Sequence, residues 1–161
     1  MNSRYMLPFF LLLFLLNACS KPSYMKQNSA FIVLKSPAMQ YADQGFIYER
    51  PDEVKVEIYG NGQALFSLRV TEDAVCNGPL RCMDKKTFHA KVLSAYYPED
   101  TLDAIFRFKP VFGGRGMVKK RNGFTQKLIN GNKYHIEYSV LNNQAVFRDT
   151  INHILIKIKR L

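Results

Sequence analysis

The sequence has no tryptophan, only three histidines and three cysteines among 161 residues, and no apolar run long enough to cross a bilayer. Each shortage removes a class of function. Cys76 and Cys82 are separated by five residues, not by the two of thiol oxidoreductases. With no second Cys pair and no spaced His pair, no zinc pattern exists. No G-x-S-x-G elbow occurs. Gly113-Gly114-Arg115-Gly116 lacks the Lys-Ser/Thr and the spacing of a phosphate loop and reads as a turn. His135 and Glu137 would share one strand face, which reads as solvated surface ahead of a metal pair. Glu99, Asp100 and Asp103 gather at a helix start, where the helix dipole favours them. No catalytic residue, metal or cofactor is therefore assigned, and the chain is not expected to be an enzyme. Acidic side chains are also scarce, 13 against 23 Lys and Arg, for a formal net charge of +10. That balance suits an acidic partner such as phospholipid head groups, lipopolysaccharide or acidic protein.

The N-terminus supplies an address. Arg4 precedes an apolar stretch from Tyr5 to Leu16. These 12 residues are too short to span ~30 Å of hydrocarbon at ~1.5 Å per residue, and Pro8 disfavours a membrane helix. A basic start and a short apolar core read as a signal peptide. Leu16-Asn17-Ala18-Cys19 then resembles the bacterial lipobox. That resemblance implies that Cys19 is lipidated and becomes the mature N-terminus, so the only covalent group expected is an N-terminal diacylglyceryl or acyl lipid. Removing residues 1–18 leaves 161 − 18 = 143 residues and a charge of 22 − 13 = +9. Two or three acyl chains hold a protein stably on a membrane. Ser20 in place of Asp favours the outer membrane of a Gram-negative cell envelope, with the domain facing the periplasm and nucleic acid excluded. Residues 19–29 read as the lipidated Cys and a flexible tether, and 30–161 as a single periplasmic domain. In that oxidising compartment Cys76 and Cys82, joined by the turn-forming Asn77-Gly78-Pro79-Leu80-Arg81, are expected to form a structural disulfide.

Periodicity divides the domain. Val54, Val56 and Ile58 alternate with Lys55, Glu57 and Tyr59, Gly60-Asn61-Gly62 marks a tight turn, and Ala64, Phe66, Leu68 and Val70 alternate again: a hairpin. Phe31–Leu34 and Phe46–Tyr48 are further strand candidates. Asp84 is placed to cap a helix from Lys85 to Tyr97, ended by Pro98, and Asp100 or Thr101 a second that stops near Pro110. Strand patterns return over 124–129, 134–140, 145–147 and 153–159. Strands, two helices, then strands predict an α+β fold of seven or eight antiparallel strands, a curved sheet or open half-barrel whose mouth a two-helix lid covers.

This layout resembles the LolA/LolB superfamily of periplasmic lipoprotein carriers and outer-membrane lipoprotein receptors. The likeness rests on the lipobox Cys19, the hairpin ending in Gly62-x-x-Leu65, the middle helical pair with Leu102 to Pro110, Gly123-Phe124-Thr125-Gln126, Tyr134-His135-Ile136-Glu137-Tyr138 and a closing Ile-x-Ile strand. It implies a half-barrel whose apolar cavity holds acyl chains, and a LolB-like receptor or lipid-binding role. Departures are visible. The turn Gly60-Asn61-Gly62 offers no apolar tip residue, the family's Trp residues are missing, and the loop with Leu80 is extra. Candidate lipid-cavity residues are Phe66, Leu68, Leu102, Ile105, Phe106, Ile136, Tyr138 and Ile156. A basic surface of Arg115, Lys119, Lys120, Arg121 and Lys127 is either a solvated loop, a contact for acidic lipid, or a dock for an acidic periplasmic lipoprotein carrier. The apolar residues fit two readings equally: an acyl-accepting cavity, or the filled core of a lipid-tethered structural or interaction module of the cell envelope.

Overall fold

The structure, a computed structural model, describes residues 26–161. The expected signal peptide, Cys19 and residues 20–25 of the tether lie outside the described residues. The strands are β1 (Lys26–Ser36), β2 (Met39–Glu49), β3 (Glu53–Gly60), β4 (Gln63–Thr71), β5 (Ala74–Asn77) and β6 (Arg81–Asp84), followed after the helices by β7 (Met117–Lys120), β8 (Gly123–Asn130), β9 (Tyr134–Leu141), β10 (Gln144–Asp149) and β11 (Ile154–Arg160). Between β6 and β7 lie helix α1 (Lys85–Val92), helix α2 (Thr101–Phe106) and a single 3-10 turn (Phe112–Gly114). All eleven strands form one antiparallel sheet in the order β6-β5-β4-β3-β2-β1-β11-β10-β9-β8-β7. Two hairpin ladders thus meet at a central seam where the first and last strands pair, Ala30 opposite Arg160 and Leu34 opposite Ile156.

Alternation explains the sheet. Val54, Val56 and Ile58 stand opposite Val70, Leu68 and Phe66, and all six are buried. Along β11, Ile154, Ile156 and Ile158 do the same against Asp149, Phe147 and Ala145. One face of every long strand therefore feeds a single core, and the other meets solvent. The β3–β4 turn holds Asn61 and Gly62 at φ 52° and 77°, the conformation a two-residue hairpin turn demands. At Gly45 a side chain is impossible for another reason: a Cβ there would lie 2.0 Å from the Glu57 carbonyl oxygen.

The expected α+β sheet-and-lid fold is wrong. The protein is mainly β: eleven strands and two short helices of eight and six residues. Two local causes account for the difference. The helical period from Lys85 breaks at Leu93, whose φ of −119° and ψ of −101° leave the helix, and of the next residues Tyr96 is exposed while Tyr97 is buried. The strands β5, β6 and β7, four residues each, are too short to carry an alternation of their own. The strand count rises accordingly. β1 also begins earlier than expected, so Lys26–Ser29 of the expected tether belong to the sheet.

Nor does α2 stand off the sheet. Thr101, Leu102, Ala104, Ile105 and Phe106 are all buried, so the helix is embedded in the core it was expected to cover. Two polar clamps hold the connecting segment down. The buried Gln126 side chain accepts from the Val111 N–H at 2.9 Å and donates to the carbonyls of Val111 and Arg115 at 3.0 and 2.8 Å. The Tyr97 hydroxyl donates to Asp149 Oδ2 at 2.5 Å. Asp149 also accepts from the backbone N–H groups of His135, Ile151 and Asn152 and from the Asn152 amide. Burial alone would raise its pKa, but these hydrogen bonds outweigh it and hold the carboxyl below its ordinary value.

Candidate functional site

The eight apolar residues singled out from the sequence come together. Phe66, Leu68, Leu102, Ile105, Phe106, Ile136, Tyr138 and Ile156 are each at most 4 % exposed and belong to one core cluster. Three of them, Leu68, Leu102 and Ile156, border an apolar crevice of about 10 Å³ between the sheet and the helices. Leu34, Lys35 and Ser36 at the end of β1 add to the sheet wall, and Phe88, Val92 and Leu93 form the opposite one, with the half-buried Met39 also in contact. A void of that size has room for about one water molecule. The sequence missed α1's share of this wall, because Phe88 and Val92 read equally well as one face of an ordinary helix.

The two helices differ in how firmly they are held. Five of the six residues of α2 are buried, but only Phe88 and His89 of α1 are. Asp84 caps α1, accepting from the Thr87 N–H at 2.8 Å, and that hydrogen bond holds the carboxyl below its usual range. His89 sits between the rings of Phe88 and Tyr97, at 6.4 and 6.5 Å between centroids. Burial is the largest influence on it and keeps the imidazole below its ordinary pKa, so the side chain anchoring α1 is neutral at pH 7. Few buried contacts make α1 the element of this wall that opens at least cost.

The five candidate basic residues do not form one surface. Lys119 and Lys120 lie on the edge strand β7 and Arg121 in the turn after it. Lys127 points from the outer face of β8 and pairs with Glu137 at 3.4 Å. Arg115 belongs to the loop before β7, where its guanidinium donates to the Tyr134 hydroxyl at 2.6 Å and lies over the Phe112 ring. Glu137 thus serves an ion pair on the strand surface, and His135 uses its backbone N–H to bind Asp149. Among the described residues no group of three metal-ligating side chains occurs.

Cys76 and Cys82 form a disulfide, directly opposite one another in the β5–β6 ladder with Cα atoms 3.9 Å apart. It closes the hairpin that carries Leu80, which is 91 % exposed at the tip. Leu80 and the β3–β4 turn are therefore separate projections, and each presents a large apolar side chain: Leu80 at the first tip, and Leu65, 60 % exposed beside Gly60, at the second. No protein-family model matches this chain, and no curated protein matches it either.

Proposed function

We propose that the chain is a lipoprotein anchored through Cys19 in the outer membrane, and that its domain accepts an acyl chain into the crevice beneath α1 without catalysing a reaction. The observation that carries the proposal is the crevice itself. Its walls are predominantly apolar, it lies where the sheet's open face meets the less firmly held helix, and it takes in three of the residues chosen from the sequence. In this closed form an acyl chain has no space to enter. Uptake consequently requires α1 to move outward, exposing Leu34, Leu68, Leu102 and Ile156 to the incoming methylenes. Exchange between two apolar environments of similar free energy needs neither nucleotide nor acid–base chemistry, so it runs in whichever direction the acceptor holds the chain better.

A specific observation favours the second reading, a tethered interaction module: the interior is filled, with only about 10 Å³ left at the crevice. The two readings separate in one measurement. The core draws only on residues 30–158, so the lipid-free domain from Ser20 onward is a self-contained unit. It is titrated with a fluorescent palmitate analogue, alongside Met39→Trp, which fills the crevice. The expected result is saturable binding by the parent and at least tenfold weaker binding by the variant at similar Tm. Binding that ignores Met39→Trp overturns the crevice as the site, and no binding by the folded parent leaves the interaction module.

A further inference from the structure

We propose that the outer face of β10, β11 and β1 is a docking surface for anionic phospholipid head groups, which lays the domain flat on the membrane that its anchor occupies. The proposal rests on the lipoprotein reading for the anchor, but the surface itself is read from the fold. In-register pairing builds a block three residues by three: Arg148, Leu155 and Lys35; Val146, Lys157 and Val33; Gln144, Lys159 and Phe31. Four of these nine are cations, four are apolar, and none is acidic. Lys35, Arg148 and Lys159 are exposed, and Phe31 is 39 % exposed among them.

This imbalance is local. On the outer face of β3 and β4 the cations are paired, Lys55 with Glu57 at 2.6 Å and Arg69 with Glu53 at 3.9 Å. Among the described residues Lys35, Arg148, Lys157 and Lys159 have no carboxylate within ion-pair distance. Strands lie ~4.8 Å apart and like-facing residues ~6.7 Å apart along each, so Lys35, Lys157 and Lys159 sit within about one Debye length of their neighbours and repel, while Arg148 at the border of the block faces Glu137 across the β9–β10 ladder. An external anionic surface removes that repulsion.

Two further observations select the occupant. The block covers only about 300 Å² on those spacings, well below the ~800 Å² per partner of a stable protein interface. A plane of phosphates needs no such area, since each surface cation adds its own attraction. Second, β1 is both part of the block and the strand that the tether leads into. Only residues 20–25 stand between Cys19 and Lys26, so an anchor at Cys19 lies within ~25 Å of the start of β1. Phe31 among lysines suits the head-group region, with the ring in the acyl boundary and the ammonium groups at the phosphates.

The absence of tryptophan makes the test clean, because Phe31→Trp then reports from one place. The full mature lipoprotein carrying this substitution is reconstituted in vesicles of phosphatidylethanolamine and phosphatidylglycerol, or of phosphatidylcholine, each containing brominated lipid. Strong quenching of the introduced indole in the anionic vesicles and little in the neutral ones is expected. Lys35→Glu, Arg148→Glu, Lys157→Glu and Lys159→Glu together should reduce quenching at least tenfold at an unchanged circular-dichroism melt. If that variant does not fold, raising salt from roughly 0.05 to 0.5 M on the Phe31→Trp protein asks the same question, and quenching should fall. Quenching equal in both vesicle types, or indifferent to charge reversal and salt, overturns the proposal, as does none in anionic vesicles. Flotation reads the anchor separately: failure to float with neutral vesicles removes the lipoprotein reading, while salt-sensitive binding to anionic vesicles alone still supports the face.

Discussion

Asp149 shows how a single side chain ties the irregular half of this chain to the regular half. It lies at the end of β10, 1 % exposed, and binds Tyr97 from the connection between the helices as well as backbone groups of β9 and of the turn before β11. Its pKa is held below the ordinary value, so it contributes stability above ~pH 4 that is lost as pH falls through its folded pKa. Tyr97→Phe removes one donor and leaves the buried carboxylate short of a partner, at a cost of about 1–3 kcal/mol near pH 7. Because the hydroxyl favours the ionised form, the gap between parent and variant should narrow as pH falls through the folded pKa of the carboxyl, which lies below its ordinary value. His89 acts in a different window. Its lowered pKa means that stability declines as pH falls through its unfolded value of ~6.5, and this limb should be unchanged in Tyr97→Phe. Urea titrations from pH 7 downward measure both; a parent and variant of equal stability near pH 7 contradict the role given to Tyr97. None of this was legible beforehand. Tyr97 read only as the last residue of a helix, and Asp149 carried no motif.

At the scale of elements, what the sequence disclosed tracks how much periodicity each segment has room to display. The hairpin β3–β4 was legible because eight- and nine-residue strands with a clean alternation flank a turn that needs positive φ. The four-residue β7 was not, since Met117-Val118-Lys119-Lys120 reads as a basic loop and becomes a strand only by pairing with β8. The pair β5–β6 is an intermediate case: its turn and disulfide were legible, its ladder was not. That short ladder is where the disulfide matters most. It closes a loop of about seven residues, for which restriction of the unfolded chain amounts to about 2 kcal/mol. Cys76→Ser with Cys82→Ser should therefore lower Tm by about 4–8 °C and leave the domain folded. The same loss should appear when the parent is melted in a reductant. An unchanged Tm under both conditions would mean that the β5–β6 pairing holds this edge unaided.

The arrangement of the whole molecule follows from its ends. A carrier-like half-barrel with a covering lid was the expectation, and the core candidates chosen for it do converge. They converge on a packed interior, because α2 is drawn into the same core as Ile32, Ile47 and Ile136 of the sheet. What joins the two ladders is the pairing of β1 with β11, two strands separated by nearly the whole described chain. The loop-closure cost of such a seam precedes its contacts. The seam also carries much of the stability. Ile154, Ile156 and Ile158 are each at most 2 % exposed, and burial of three such side chains is worth about 5–9 kcal/mol, comparable to the net stability of a domain. Deleting Ile154–Leu161 should therefore abolish cooperative unfolding altogether and expose the unpaired edges of β1 and β10 to aggregation. Val118→Asp, on the outer edge strand where the side chain is 54 % exposed, should leave Tm nearly unchanged. Thermal melts of both variants decide the matter. A truncated chain that still melts cooperatively would show that one ladder folds without the other, and the seam would then be a junction between two autonomous halves rather than the closure that makes them one domain.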